Sequence, residues 1–289
     1  MALIVLAACF SVWVSIYLKW CKAKNIDLLQ SIAWNYVAAS LWCAWWFKPD
    51  FAHLSWSATP WWVIISLAVV LPSIFWCLGQ ALNHAGVVKT EIAQRLSVVL
   101  SLLAAYVLFQ EQFNHLKFLG IALGLAAVIC VLLAQLKTGQ TKPQQQNARL
   151  ATRDLLLVWV GYATVDILLK YCSSLGLQFS LSLNLSFILA FIFVSIFVLY
   201  RRRRWQTQAI WAGLALGSFN FANIALYVKA HQLLKDSPAI VFASMNIFVV
   251  VLGLLAGVLI FKEKLHKLSV AALLFAIAAL LCLAKAITQ

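Results

Sequence analysis

Four polar residues, Lys89, Glu91, Gln94 and Arg95, precede the apolar run LSVVLSLLAAYVLF. If a helix starts near Val87, Arg95 lies about 12 Å along it at 1.5 Å per residue. A guanidinium that deep in a bilayer should line water or hold an anionic group, because a charge at mid-membrane costs ~2.5–3.5 kcal/mol on insertion scales. Glu91 and Arg95 are also one turn apart and can close on each other as a structural pair. Asp166 poses the same choice. It lies about three turns into an apolar run, with Lys170 one turn later on the same face. On one reading it is a carboxylate near the midplane that binds a proton or an amine. On the other it belongs to a helix-end pair in which Lys170 snorkels to the interface. Lys19 occupies the matching place earlier in the chain, where Ser15 replaces Asp166, and snorkelling is the expectation for Lys19.

Neutral groups extend the set. Asn220, Asn223 and Tyr227 recur at helical spacing on one stripe, and Asn35, Tyr36 and Asn184 are further donors and acceptors. They either hydrogen-bond between helices or form a wet stripe on a solute cavity. Ser244, Met245 and Asn246 stand, without charge, where the later half repeats the Glu91–Arg95 stretch. The chain carries no nucleotide-binding P-loop, no HExxH and no GxSxG. Its seven cysteines are scattered without metal-ligand spacing. No enzyme chemistry, metal or cofactor is expected, and any transport would be secondary.

These side chains must be positioned by membrane helices. The chain is 64% hydrophobic and 10% charged, with mean hydropathy +0.94, against about 25% charged residues in a soluble domain. Its apolar runs are long and lack the alternation of barrel strands, so helices of ~20 residues are predicted. Ten runs can be read: 2–18, 28–47, 61–82, 88–109, 116–136, 155–171, 177–200, 210–233, 239–261 and 268–286. The first is expected to be a retained helix rather than a cleaved leader, since no basic region precedes it. Many of the thirteen tryptophans sit near run ends, as interfacial anchors do. Gly120/Gly124, Gly213/Gly217 and Gly253/Gly257 are small-residue pairs that let helices approach closely. Pro72 and Pro238 are placed to kink or start the third and ninth helices.

The chain repeats itself. Phe109, Glu111 and Leu119 fall opposite Phe261, Glu263 and Ala271 at one fixed offset, and VSIYLKWC (14–21) matches VDILLKYC (165–172) in five of eight letters. A Gln-rich break with a Gly and a Pro follows the fifth run. The organisation read is a first repeat over 1–137, a polar linker over 138–153 and a second repeat over 154–289. Five helices per repeat makes the second enter from the opposite side, the inverted-topology plan of many secondary transporters.

The net charge of +14 does not point to nucleic acid, because the basic residues sit in short loops. Lys22 and Lys24, Lys142 to Arg153, Arg201 to Arg204, and Lys262 to Lys267 follow odd-numbered runs. The positive-inside rule then puts those loops in the cytoplasm and both termini outside.

The segments GQALNHAGVVKTEIAQRLSVVLSLLAAYVLFQEQF and YVKAHQLLKDSPAIVFASMNIFVVVLGLLAGVLIFKEKL resemble the EamA-type branch of the drug/metabolite transporter superfamily. Glu111 and Glu263 match the family's recurrent turn glutamate, although the usual preceding Gly is Gln110 and Lys262 here. The resemblance implies a ten-helix carrier in a bacterial inner membrane, moving amino acids or other small metabolites, often outward. The expectation is an all-α bundle of two inverted five-helix repeats. Its cavity would be lined by the first, third, fourth, sixth, eighth and ninth runs. Arg95 would hold an anionic group and Asp166 or Glu91 an amine or a coupling proton. Gln94, Asn220, Asn223, Tyr227 and Asn246 complete the candidate site. The partners expected are a small-molecule substrate and the bilayer. The alternative is a translocator of lipids or lipid-linked sugars on the same scaffold.

Overall fold

In lipid a backbone must satisfy its own hydrogen bonds, and the described residues answer with helices and no strand. The computed structural model describes residues 2–51, 59–109, 113–136, 142–175, 178–202, 204–234 and 238–287. Gln110 and Glu111 lie outside them. The helices are α1 (Ala2–Ala23), α2 (Leu28–Phe47), α3 (Trp61–His84), α4 (Val87–Arg95), α5 (Ser97–Phe109), α6 (His115–Leu136), α7 (Lys142–Ser174), α8 (Phe179–Tyr200), α9 (Thr207–Leu233), α10 (Pro238–Leu255) and α11 (Lys267–Ile287). Among them, α1, α3, α6, α7, α8, α9 and α11 are long and apolar enough to cross a membrane, with a shorter apolar helix over Ser244–Ile260.

Ten rods thus correspond to the ten runs, with three local differences. The fourth run is broken: α4 and α5 meet at Leu96, whose carbonyl accepts the Trp159 indole N–H at 2.9 Å. The same carbonyl accepts from Val99 N at 3.0 Å, so the tryptophan of another helix adds a second donor at the break. The ninth run ends in a π turn over Ala256–Ile260, which leads into Glu263 N donating to Gly257 O at 2.9 Å. The stretch read as linker is helical from Lys142, so α7 starts well before the apolar sequence does. Its polar residues have good helix propensity. Pro238 opens α10, the position where its missing N–H costs nothing. Pro72 lies inside α3.

The rods pack through their small residues. A Cβ on Gly213 would stand 2.4 Å from Ser31 O, and one on Gly217 would stand 2.2 Å from Asn35 O, so α9 lies directly against the α2 backbone. Gly120 meets Leu283 of α11, and Gly124 meets Val99 of α5. Gly253 and Gly257 press α10 and its π turn against Glu91 and Val88 of α4.

Polar contacts gather the basic helix ends at one end of the bundle. Lys22 Nζ donates to Gln80 Oε1 at 2.7 Å, and Gln30 Nε2 donates to Arg204 O at 2.8 Å. His84 Nδ1 lies 2.7 Å from Asp154 Oδ2, with Arg153 on the other carboxylate oxygen at 2.9 Å. Lys19 does not snorkel. Its ammonium lies 2.9 Å from Glu263 Oε1 and 4.1 Å from the centre of the Phe261 ring. A partner supplied by a turn far along the chain removes the need to reach the interface.

Candidate functional site

A cavity of about 800 Å³ occupies the middle of the bundle, a size suited to a small-molecule ligand. Helix α4 brings Gln94 and Arg95 to it because the helix ends there. Helix α9 brings the stripe of Asn220, Asn223 and Tyr227. Helix α10 adds Met245 and Asn246, and α1 adds Ser11, Val14 and Ser15. Helix α7 contributes Tyr162, Val165 and Asp166, while Leu71, Phe75 and Leu78 come from α3. Two further helices reach it, beyond the six expected: α2 through Tyr36, and α8 through Phe179, Leu183 and Phe187.

The lining is graded. Polar groups concentrate on α1, α4, α9 and α10, and aliphatic and aromatic ones on α3 and α8. Tyr36 is wedged between Phe75 and Phe187, with ring centroids 6.2 and 5.7 Å away. The lining runs out to His231 and Gln232 at the end of α9 and Phe179 at the start of α8. Towards the basic end it stops at Leu78, Ser15 and Arg95, below the Lys19–Glu263 contact.

Arg95 donates through Nη2 to Ser11 Oγ, and its Nε has no partner among the described residues. Asp166 accepts from Ser101 Oγ at 3.1 Å and is accessible from the cavity. Asn246 donates to Phe242 O of its own helix at 2.8 Å, and Asn223 Oδ1 has no partner among the described residues. Glu91 is the one sequence candidate absent from the lining. It is 1% exposed, accepts from Ser15 Oγ, and is seated against Gly253. No ion pair joins it to Arg95 among the described residues, since each residue takes a serine of α1. Of the other polar residues noted in sequence, Asn184 donates to Ser40 O at 2.9 Å, an interhelical bond. Asn35 is fully buried beside the Gly217 contact.

Sequence reasoning passed over Ser11 and Tyr162. The signal for Ser11 was present: Ser11, Ser15 and Lys19 form an i, i+4, i+8 stripe on an apolar helix. Tyr162 stands four residues before Asp166 on the corresponding stripe of α7.

Such a scaffold, helices of membrane-crossing length around a charged internal cavity, defines a polytopic integral membrane protein. The model of the EamA-like transporter family matches residues 1–133. An uncharacterized protein of Haemophilus influenzae (strain ATCC 51907 / DSM 11121 / KW20 / Rd) is 36% identical over 290 aligned residues, covering 97% of this chain and 96% of the relative. The chain belongs to the EamA-like transporter family, within the drug/metabolite transporter superfamily, and is a membrane transporter of that type.

Proposed function

We propose that the chain is a secondary transporter of a small polar metabolite, an amino acid or a similar zwitterion, exported across a bacterial inner membrane by alternating access. One observation carries the reading: Arg95 and Asp166, of opposite charge, line the same cavity together with the amides of Gln94, Asn220, Asn223 and Asn246 and the Tyr227 ring. A carboxylate would sit at Arg95, and an ammonium at Asp166. The apolar remainder of the solute would lie against Phe75, Leu183 and Phe187. Charges in mid-cavity favour a small solute over a lipid, whose acyl chains gain nothing from them.

The inverted repeat is part of this proposal. Helix α3 packs on α7 and α9 packs on α1, while α6 pairs with α11 and α2 with α8. Exchanging the two halves maps each of these contacts onto another or onto itself, as a two-fold relation between them requires. In this state the cavity reaches the end bearing His231 and Gln232, and Lys19, Glu263 and α4 cover the basic end. The positive-inside rule makes the basic end cytoplasmic, so the cavity faces outward. Reconstituted protein tests the reading. Arg95→Ala should abolish uptake of labelled amino acids while the variant purifies as a monodisperse species. Uptake at the wild-type rate removes Arg95 from the site.

A further inference from the structure

We propose that α1 carries a three-rung polar ladder that ties Arg95 to the closure of the basic end, so that loosening any rung releases that closure. It rests on the alternating-access reading above. Ser11, Ser15 and Lys19 are spaced four residues apart on one face of α1. The partners of the first two, Arg95 and Glu91, run in the reverse order along α4, and that of the third caps the start of α4. Arg95 donates to Ser11, Ser15 donates to Glu91, and Lys19 donates at 2.9 Å to Glu263. Glu263 in turn accepts from the first N–H groups of α4, Val87 N at 2.7 Å and Val88 N at 3.2 Å. The seam is therefore continuous from the cavity to the latch, and α1 and α4 run antiparallel along it.

Both carboxylates of the ladder have built seats. The Glu263 carboxylate lies between Gly86, at φ +89°, where a Cβ would stand 2.7 Å from Oε2, and Gly257, where it would stand 3.0 Å away. Glu91 fits against Gly253, where a Cβ would stand 2.7 Å from its Cγ. Ser15 and Glu91 are each 1% exposed, so their bond is made away from water. An anion on Arg95 competes for the guanidinium N–H that Ser11 accepts. All three rungs sit on one rigid helix, so a displacement of α1 at Ser11 is felt at Lys19. The latch supplies the two-state element that such coupling requires.

Cys21, two residues beyond Lys19 and 3% exposed, reports on the closure. The test is the rate of maleimide labelling at Cys21 by peptide-resolved mass spectrometry, on full-length protein in nanodiscs without any substrate. Glu263→Gln, Ser15→Ala and Arg95→Ala should each raise it about tenfold, the population change that losing one charge-assisted hydrogen bond brings. The double variant Ser15→Ala/Glu263→Gln should match the single ones, because coupled sites are not additive. Ser15→Thr, which keeps the hydroxyl, should stay protected. Cys43, fully buried on α2, controls for unfolding. Wild-type labelling in Ser15→Ala and Arg95→Ala, or effects that multiply in the double variant, overturns the ladder. That outcome leaves the transport reading standing, since the latter falls only if Arg95→Ala still carries solute.

Discussion

Lys19 Nζ and Glu263 Oε1 lie 2.9 Å apart although 244 residues separate them in the chain. The pair joins α1 to the turn after α10 and, through Val87 N and Val88 N, to the start of α4. Three helices meet at one partly buried carboxylate. A helix N-terminus favours negative charge there through its free N–H groups and dipole. Glu263 is thus held by an ammonium and a helix end together.

Replacing Lys19 by Met removes only one of these holds. We expect Lys19→Met to cost about 1–3 kcal/mol, the range for a hydrogen bond to a charged group, and Lys19→Arg to cost less. Melting of the purified protein in detergent checks the order. Equal stability of all three forms would show that the ion pair contributes nothing.

Asp166 and Arg95 should divide their work by charge. Asp166→Asn is expected to reduce uptake of zwitterionic amino acids at least about tenfold, the loss that ~1.4 kcal/mol brings, while sparing a monocarboxylate. Arg95→Ala should stop both. Competition between the two solute types in proteoliposomes reads the split, and parallel losses in Asp166→Asn would remove the ammonium role.

The broken fourth helix depends on a distant indole. Trp159→Phe keeps an aromatic ring but removes the 2.9 Å indole donor, leaving the Leu96 carbonyl with Val99 N alone at 3.0 Å. Losing one hydrogen bond of this kind costs about 0.5–1.5 kcal/mol, and the melting temperature should drop accordingly. An unchanged melt would mean that the break is held by packing.

Close backbone contact between α2 and α9 sets a sharp steric test. Gly217→Val would place a branched side chain where even a Cβ stands 2.2 Å from Asn35 O. Overpacking of this kind costs about 1–3 kcal/mol or more. We expect a loss of monodisperse protein on size exclusion, with Gly161→Val milder, because Gly161 faces only the Ile74 side chain.

Orientation can be read directly. An alkaline phosphatase fused after Gln289 should be active, and a fusion in the loop at Arg202 inactive, if the basic end is cytoplasmic. The opposite pattern would invert the direction assigned to the cavity.

Much of the scaffold was legible because bilayer insertion acts on local sequence. Apolar length sets where the spans lie, and among the described residues the ten runs reappear as ten rods, α7 extending further into polar sequence. The Asn220–Asn223–Tyr227 stripe and Arg95 could be picked out for a related reason: polar groups are costly in an apolar run, so they mark a cavity or a partner. Local sequence could not say which partner. Lys19 read as a snorkelling residue, and Glu91 and Arg95 read either as a pair or as two cavity groups, because only neighbours along the helix were in view. Tertiary packing gave Lys19 to Glu263, Glu91 to Ser15, and Arg95 to Ser11. It also broke the fourth run at Leu96, where Trp159 on another helix meets the carbonyl. Sequence by itself determined that this is a helical membrane protein with charges buried inside it, because hydrophobicity and period are properties of a segment. Only the tertiary structure decided which charges face the cavity and which lock the helices together, because a hydrogen bond between helices depends on where a distant part of the chain comes to rest.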